Sequence, residues 1–184
     1  MARGLILTQR TPEKGLDMVA NVVPGVQPLY TRPREYLLER GISQAQTDQL
    51  GLRICAAREL QNYGISSFGA ETAILWQVRD FHNEPTDCVG ARLFYPPGST
   101  FGNRPKFIVP AGQKARLYFT PCINWDDLME GVAVYVCESW LKADVLALQG
   151  YYAVGVQGIF GSSWRRNSLI RDDFVELVKH GVEL

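Results

Sequence analysis

The sequence predicts an α/β chain in two parts: a mixed α+β N-terminal part, then the opening of a parallel sheet. Three observations predict it. Residues 72–119 hold short apolar runs separated by turn residues, as antiparallel strands do. "VAVYVCE", "SWLKADVLALQG" and "YYAVGVQG" then follow as strand, helix and strand, the rhythm of a parallel sheet. Glycines and prolines punctuate the steps between elements.

Residues 1–28 carry Gly4, Pro12, Gly15, Pro24, Gly25 and Pro28 and read as an irregular arm. "TRPREYLLERGISQAQTDQLGLRIC" reads as two short helices. Pro33 suits a first helical turn and Gly41 ends that helix. Ser43 is placed to cap the second, and Gly51 stops it. "TAILWQVRD" is a strand, "FHNEPTD" a turn and "CVGARLFYP" the returning strand. "PPGSTFGNRP" is a loop, followed by short strands in "KFIVP" and "ARLYF". "NWDDLMEG" fits a short helix with Asn124 as cap, Asp126 and Asp127 as helix-start charges, and Gly131 at its end.

"VAVYVCE" is continuously apolar, which predicts a strand buried on both faces. Ser139 is placed to cap the next helix, Gly150 to end it, and Trp140, Ala143 and Ala147 recur at helical spacing. "DDFVELVKHG" is the last helix, with Asp172 and Asp173 near its positive end, and "VEL" opens a further strand. The expected division is an arm at 1–28, an α+β part at 29–130 and an α/β part at 131–184.

Length 184, 46% hydrophobic and 21% charged residues describe an ordinary globular chain. No apolar run approaches the roughly 18 residues of a membrane span, and the N-terminus lacks a secretory pattern. The expectation is a cytoplasmic protein without a membrane partner. Cys55, Cys88, Cys122 and Cys137 are too widely spaced for a zinc motif and read as reduced, buried thiols. His82 and His180 are the only histidines and sit in no nucleophile–base motif. This argues against a small-molecule enzyme of that type.

Net charge is zero, but charge is uneven. Residues 88–125 contain Arg92, Arg104, Lys106, Lys114 and Arg116 and no Asp or Glu. Phe94, Tyr95, Phe101, Phe107, Tyr118 and Phe119 are interleaved with them. Cations for phosphates and rings for bases suit a single nucleic-acid strand. A β-rich core with a basic solvent face explains the same residues. "SSWRRNSLIR" places Arg165 and Arg166 beside Trp164, as a second strand contact or a solvated loop. Gly155, Gly158 and Gly161 suit either a phosphate approaching the backbone or tight strand–helix turns.

The order of these pieces resembles the primase core of bacterial and phage DNA primases. "YLLERGISQAQTDQLGLRIC" is similar to its opening. "ILWQVRDFHNEPTDCVGARL" resembles its hairpin, with a Gly-x-Arg at Gly90–Arg92, and "NRPKFIVP" the segment that follows. "VYVCESWLKADVLALQGYYAVGVQGIFG" resembles the first half of a Toprim domain. The nearest likeness is the Toprim-like domain of unknown function of phage and plasmid replication proteins. The resemblance covers residues 36–181.

The resemblance implies DNA replication in a phage or mobile element, with a basic groove for single-stranded DNA. It implies that Glu138 is the catalytic glutamate and a ligand of Mg2+ in the complete family site. Ser139 stands in place of the usual glycine, and Lys142 in place of an acidic residue, as in the phage–plasmid variant. Lys142 serves there as a nucleic-acid contact or as a surface ion-pair partner of Glu138. The Asp-x-Asp of the next strand is absent. The metal site is therefore incomplete, this chain is not expected to hold a metal by itself, and the isolated chain is expected to be inactive as a primase. Completion would come from a Toprim or helicase segment C-terminal to Leu184, or from self-association. The alternative is a stand-alone, non-catalytic interaction protein on a degraded Toprim scaffold, binding a host protein or nucleic acid.

Overall fold

The computed structural model describes residues 31–99, 104–157 and 168–181. The expected arm at 1–28, Arg165, Arg166, Gly158, Gly161 and the strand expected at "VEL" lie outside the described residues. The elements in order are α1 (Thr31–Leu38), α2 (Gln44–Gln49), β1 (Arg53–Ala56), a 3-10 helix (Ala57–Tyr63), β2 (Thr72–Arg79) and β3 (Pro85–Phe94). There follow β4 (Phe107–Ile108), β5 (Tyr118–Phe119), a 3-10 turn (Trp125–Asp127), β6 (Val134–Cys137), α3 (Trp140–Ala147), β7 (Tyr152–Gly155) and α4 (Ser168–Lys179).

Two sheets organise the chain. The first is antiparallel in the order β1-β2-β3-β4. Alternation along β2 divides its side chains between two cores. Ile74, Trp76 and Val78 join Leu37, Ile42 and Leu50 of the α1–α2 hairpin and Trp140 and Ala143 of α3. Ala73 and Leu75 face the other way, against Leu60 and Ile65. The second sheet has the order β5-β7-β6, with β7 parallel to β6 and antiparallel to β5. It draws one strand from the N-terminal side of residue 130 and two from beyond it. A third core lies between it and α4, around Phe119, Trp125, Val154 and Leu177.

The local signals acted as their chemistry requires. Ser43 accepts the Gln46 N–H while Gln46 reaches back to the Ser43 N–H, a reciprocal capping box. Asp80 Oδ1 accepts the His82 and Glu84 N–H groups and tightens the β2–β3 turn. That turn is shorter than the sequence suggests, because β3 already starts at Pro85. Asn124 caps no helix. Its side chain donates to Asp127 at 2.7 Å, and only a three-residue 3-10 turn forms.

Two expectations are corrected. β6 is not buried on both faces: among the described residues it is the edge strand of its sheet, with Tyr135 47% and Val136 52% exposed. Its apolar run imitates a central strand, but the central position belongs to β7. The last helix starts at Ser168, so Asp172 and Asp173 lie in its interior and not at its N-terminus. The short strands expected in "KFIVP" and "ARLYF" form as β4 and β5, two residues each.

All four cysteines are free, and Cys55, Cys88 and Cys137 are buried. Burial pushes the Cys88 and Cys122 thiols up to about 11, so little thiolate is present near neutral pH. No helix among the described residues is long and apolar enough to cross a membrane.

Candidate nucleic-acid interface

Glu138 follows the last residue of β6, and Ser139 opens α3. The Ser139 Oγ accepts the Lys142 N–H at 3.4 Å, which fixes the first turn. Lys142 thereby stands one turn above Glu138, and its ammonium pairs with the Glu138 carboxylate. Both side chains are half exposed or more. The Val156 N–H donates to the Cys137 carbonyl at 2.8 Å and holds the strand ends together below them.

Beside this pair lies a cavity of about 300 Å³. Tyr36, Trp76, Arg92 and Phe107 line it from the N-terminal part, Glu138 and Trp140 from the C-terminal part. Arg92 arrives there because β3 pairs it with Ile74 on one side and Phe107 on the other, toward the α1 face. Its guanidinium lies 4.0 Å from the Tyr36 ring centroid, and that of Arg40 lies 3.5 Å from the same ring. Burial lowers the Arg92 pKa from its usual value.

The other cations suggested by the sequence are scattered. Arg104 is exposed and sits 5.5 Å from the Tyr95 ring centroid. Lys106 is exposed next to Phe107, with its carbonyl accepting the Leu93 N–H. Lys114 lines a different cavity of about 720 Å³, with Tyr63, Gln77, Asp87 and Gln113. That cavity lies on the opposite face of the first sheet from Arg92, since Gln77 and Val89 share the face of Leu75. Arg116 is engaged inside the fold. Its Nη2 bonds Asp173 Oδ1 at 2.6 Å, and the Leu117 N–H donates to Asp173 Oδ2 at 2.9 Å. The Asp173 hydrogen bond raises the Arg116 pKa.

Sequence reasoning missed Asp144. It lies on α3 with 0% exposure, one turn after Trp140 and among Ala143 and Ala147. The signal was available: an acid inside the helix's apolar stripe. Trp76 Nε1 donates to its Oδ2 at 2.9 Å and the Tyr118 hydroxyl to its Oδ1 at 2.7 Å. It joins a strand of each sheet to α3. Burial pushes its carboxyl up to about 7, against the pull of these two donors. Gly155 is a packing glycine: a Cβ there would fall 2.9 Å from Trp140 Cα.

Magnesium requires several oxygen ligands in fixed, near-octahedral positions. Among the described residues no three His, Cys, Asp or Glu side chains gather into a group that could hold a metal ion. Glu138, already paired with Lys142, does not fit such a site by itself.

No family model and no curated protein matches this chain. Solved structures do. The RNA polymerase domain of the primase DnaG of Mycobacterium tuberculosis superposes with a TM-score of 0.56 at 18% identity, over 85% of this chain and 56% of that one. The E. coli primase catalytic core gives a TM-score of 0.52 at 19% identity, over 79% and 53%. A DnaG primase catalytic domain bound to ssDNA gives 0.50 at 19% identity, over 79% and 54%. The chain thus spans little more than half the length of these structures, and its helices and mixed sheets have the fold of the primase catalytic core.

Proposed function

We infer that the chain is part of a primase or primase-helicase of a phage or mobile element. It binds single-stranded DNA over the face carrying Arg92 and Glu138 and contributes the glutamate half of a Toprim nucleotidyl-transfer site. One observation carries this reading: Arg92 of β3 and Glu138 after β6 meet at one cavity. That cavity lies at the C-terminal end of the parallel pair β6–β7, where open α/β sheets hold their ligands. The DnaG catalytic domain bound to ssDNA, which has this fold, supports the choice of ligand.

In this reading Arg92, Arg104 and Lys106 meet phosphates, and Lys142 exchanges its carboxylate for one. The exposed Glu138–Lys142 pair contributes only about 0–1 kcal/mol, so the exchange costs little. Arg165 and Arg166 are further candidate contacts. Lys114 belongs to the other face, and Arg116 is spent on Asp173. The remaining oxygen ligands that Mg2+ needs are not among the described residues.

The test is fluorescence anisotropy of a labelled single strand over a salt series. With about four phosphate contacts, log affinity against log salt falls with a slope of about −3, at roughly −0.7 per contact. Arg92→Gln and Lys106→Glu each make the slope shallower. Salt-independent binding, or slopes that these substitutions leave unchanged, removes the phosphate-binding face. A second reading, a non-catalytic interaction protein, is favoured by the exposed β6 edge with Tyr135 and Val136.

A further inference from the structure

Two buried N–H donors lack a hydrogen-bond partner among the described residues: Arg92 Nε and Trp140 Nε1. Both residues line the cavity beside Glu138. The other described indoles are satisfied. Trp76 Nε1 donates to Asp144 at 2.9 Å and Trp125 Nε1 to the Thr120 carbonyl at 3.1 Å. Trp140 is only 2% exposed, so bulk water does not serve its N–H. Buried donors in folded proteins are met by protein, ordered water or a ligand, and an orphan asks for an explanation.

Trp140 cannot swing to find a partner. Its ring stacks on Tyr118 with centroids 5.5 Å apart and meets Phe107 edge-on at 5.3 Å. Two glycines make room for it. A Cβ at Gly90 would lie 2.5 Å from its Cζ3, and one at Gly155 would lie 2.8 Å from its Cδ1. The indole is held and its donor is fixed, and no described residue supplies the acceptor. Tyr36, Trp76 and Phe107 supply rings to the wall, and Leu141, Val156, Ser139, Gln157 and Glu138 complete it.

We propose that this cavity is a nucleobase subsite, in which one planar base lies against Trp76 and Phe107 and accepts hydrogen bonds from Arg92 Nε and Trp140 Nε1. The proposal rests on the primase-related reading for the source of the base, but the pocket chemistry stands on these donors and rings. A base offers a π-face to aromatic walls, and its carbonyl oxygens and ring nitrogens are acceptors. The volume, about 300 Å³, is at the lower end of small-ligand sites, roughly 300–1,000 Å³, and suits one base better than a stacked pair. A phosphate joined to that base finds the Arg92 guanidinium and Lys142 nearby. The base belongs either to a free nucleotide or to a single strand.

The test follows the indole N–H resonance of Trp140 by heteronuclear NMR, assigned through Trp140→Phe. Three additions are compared: nucleoside monophosphates, a short single-stranded oligodeoxynucleotide, and an abasic strand of the same length. The Trp140 N–H shifts with base-containing ligands and holds still with the abasic strand, while the Trp76 N–H moves less. Saturation by monophosphates assigns a free nucleotide, and a response to the oligonucleotide alone assigns the strand. Trp140→Phe lowers affinity for the base-containing ligand about tenfold. Arg92→Lys, which keeps the charge and loses Nε–H, does the same and covers a Trp140 variant that fails to fold. A Trp140 N–H unmoved by every addition overturns the proposal. Equal binding of the base-containing and abasic strands also overturns it, yet leaves the phosphate-binding face intact. Nucleotide binding without strand binding retains the subsite and removes the strand-binding reading.

Discussion

Asp144 and Arg116 show how single residues acquire roles that their chemical type does not announce. The Asp144 carboxyl is raised from 3.8 to about 7, so the folded state keeps its proton where the unfolded chain has lost it. Its contribution to stability is therefore greatest below pH about 4, falls as pH rises toward about 7, and then levels. At about 1.4 kcal/mol per pH unit the fall is on the order of 4 kcal/mol. Urea unfolding across this pH range should show it, and Asp144→Asn should flatten the profile, since the amide keeps an acceptor for Trp76. A wild-type profile without that fall contradicts the assignment. Arg116→Leu should cost about 3 kcal/mol, because it leaves the Asp173 carboxylate, 5% exposed, without its cation. Were Arg116 a phosphate contact instead, this variant would unfold at the wild-type urea concentration and lose DNA affinity.

Among the elements, α3 sets the geometry of the site. It presents Trp140 to both sheets, and its first turn carries Ser139 and Lys142 toward Glu138. The close approach of α3 to β3 depends on Gly90, whose Cβ position is occupied by the Trp140 and Phe107 rings. Gly90→Ala should therefore destabilise the chain by about 1–3 kcal/mol, the usual cost of overpacking. In a Trp140→Leu background the cost should shrink, because the obstructing ring is gone. A double-mutant cycle of urea midpoints measures this coupling. Additive effects would show that the crowding at Gly90 is relieved by some other shift.

At the scale of the whole molecule, β6 is left with an open edge among the described residues. Parallel strands normally have neighbours, and an open edge pairs with whatever backbone reaches it. The chain should therefore self-associate as concentration rises, with a growing sedimentation coefficient. Tyr135→Lys and Val136→Lys should keep it monomeric, as charged side chains do on natural edges. An association that these two substitutions leave intact runs through another surface. A sedimentation coefficient constant with concentration would show that the described edge does not recruit a second copy.

The sequence by itself determined the local structure and the order of elements. The Ser43 and Ser139 caps, the β2–β3 hairpin and the strand–helix–strand of β6, α3 and β7 were legible because capping, alternation and helical spacing are short-range rules. The primase-core fold was legible as a resemblance spread along the chain, and the solved structures agree with it. The site was legible only in part. Glu138 and Arg92 were named from residue type and motif, but their meeting at one cavity was not, since they are separated by several strands. Only the tertiary structure decided that β7 and not β6 is central, for two equally apolar runs differ only in which neighbours they find. It also decided that Arg116 belongs to Asp173, that Lys114 faces the other side of the sheet, and that Asp144 is buried between two donors. These are outcomes of packing at long range. Charge and polarity are written in the sequence, but burial and partners, which set their energies, are fixed when the sheets close around α3.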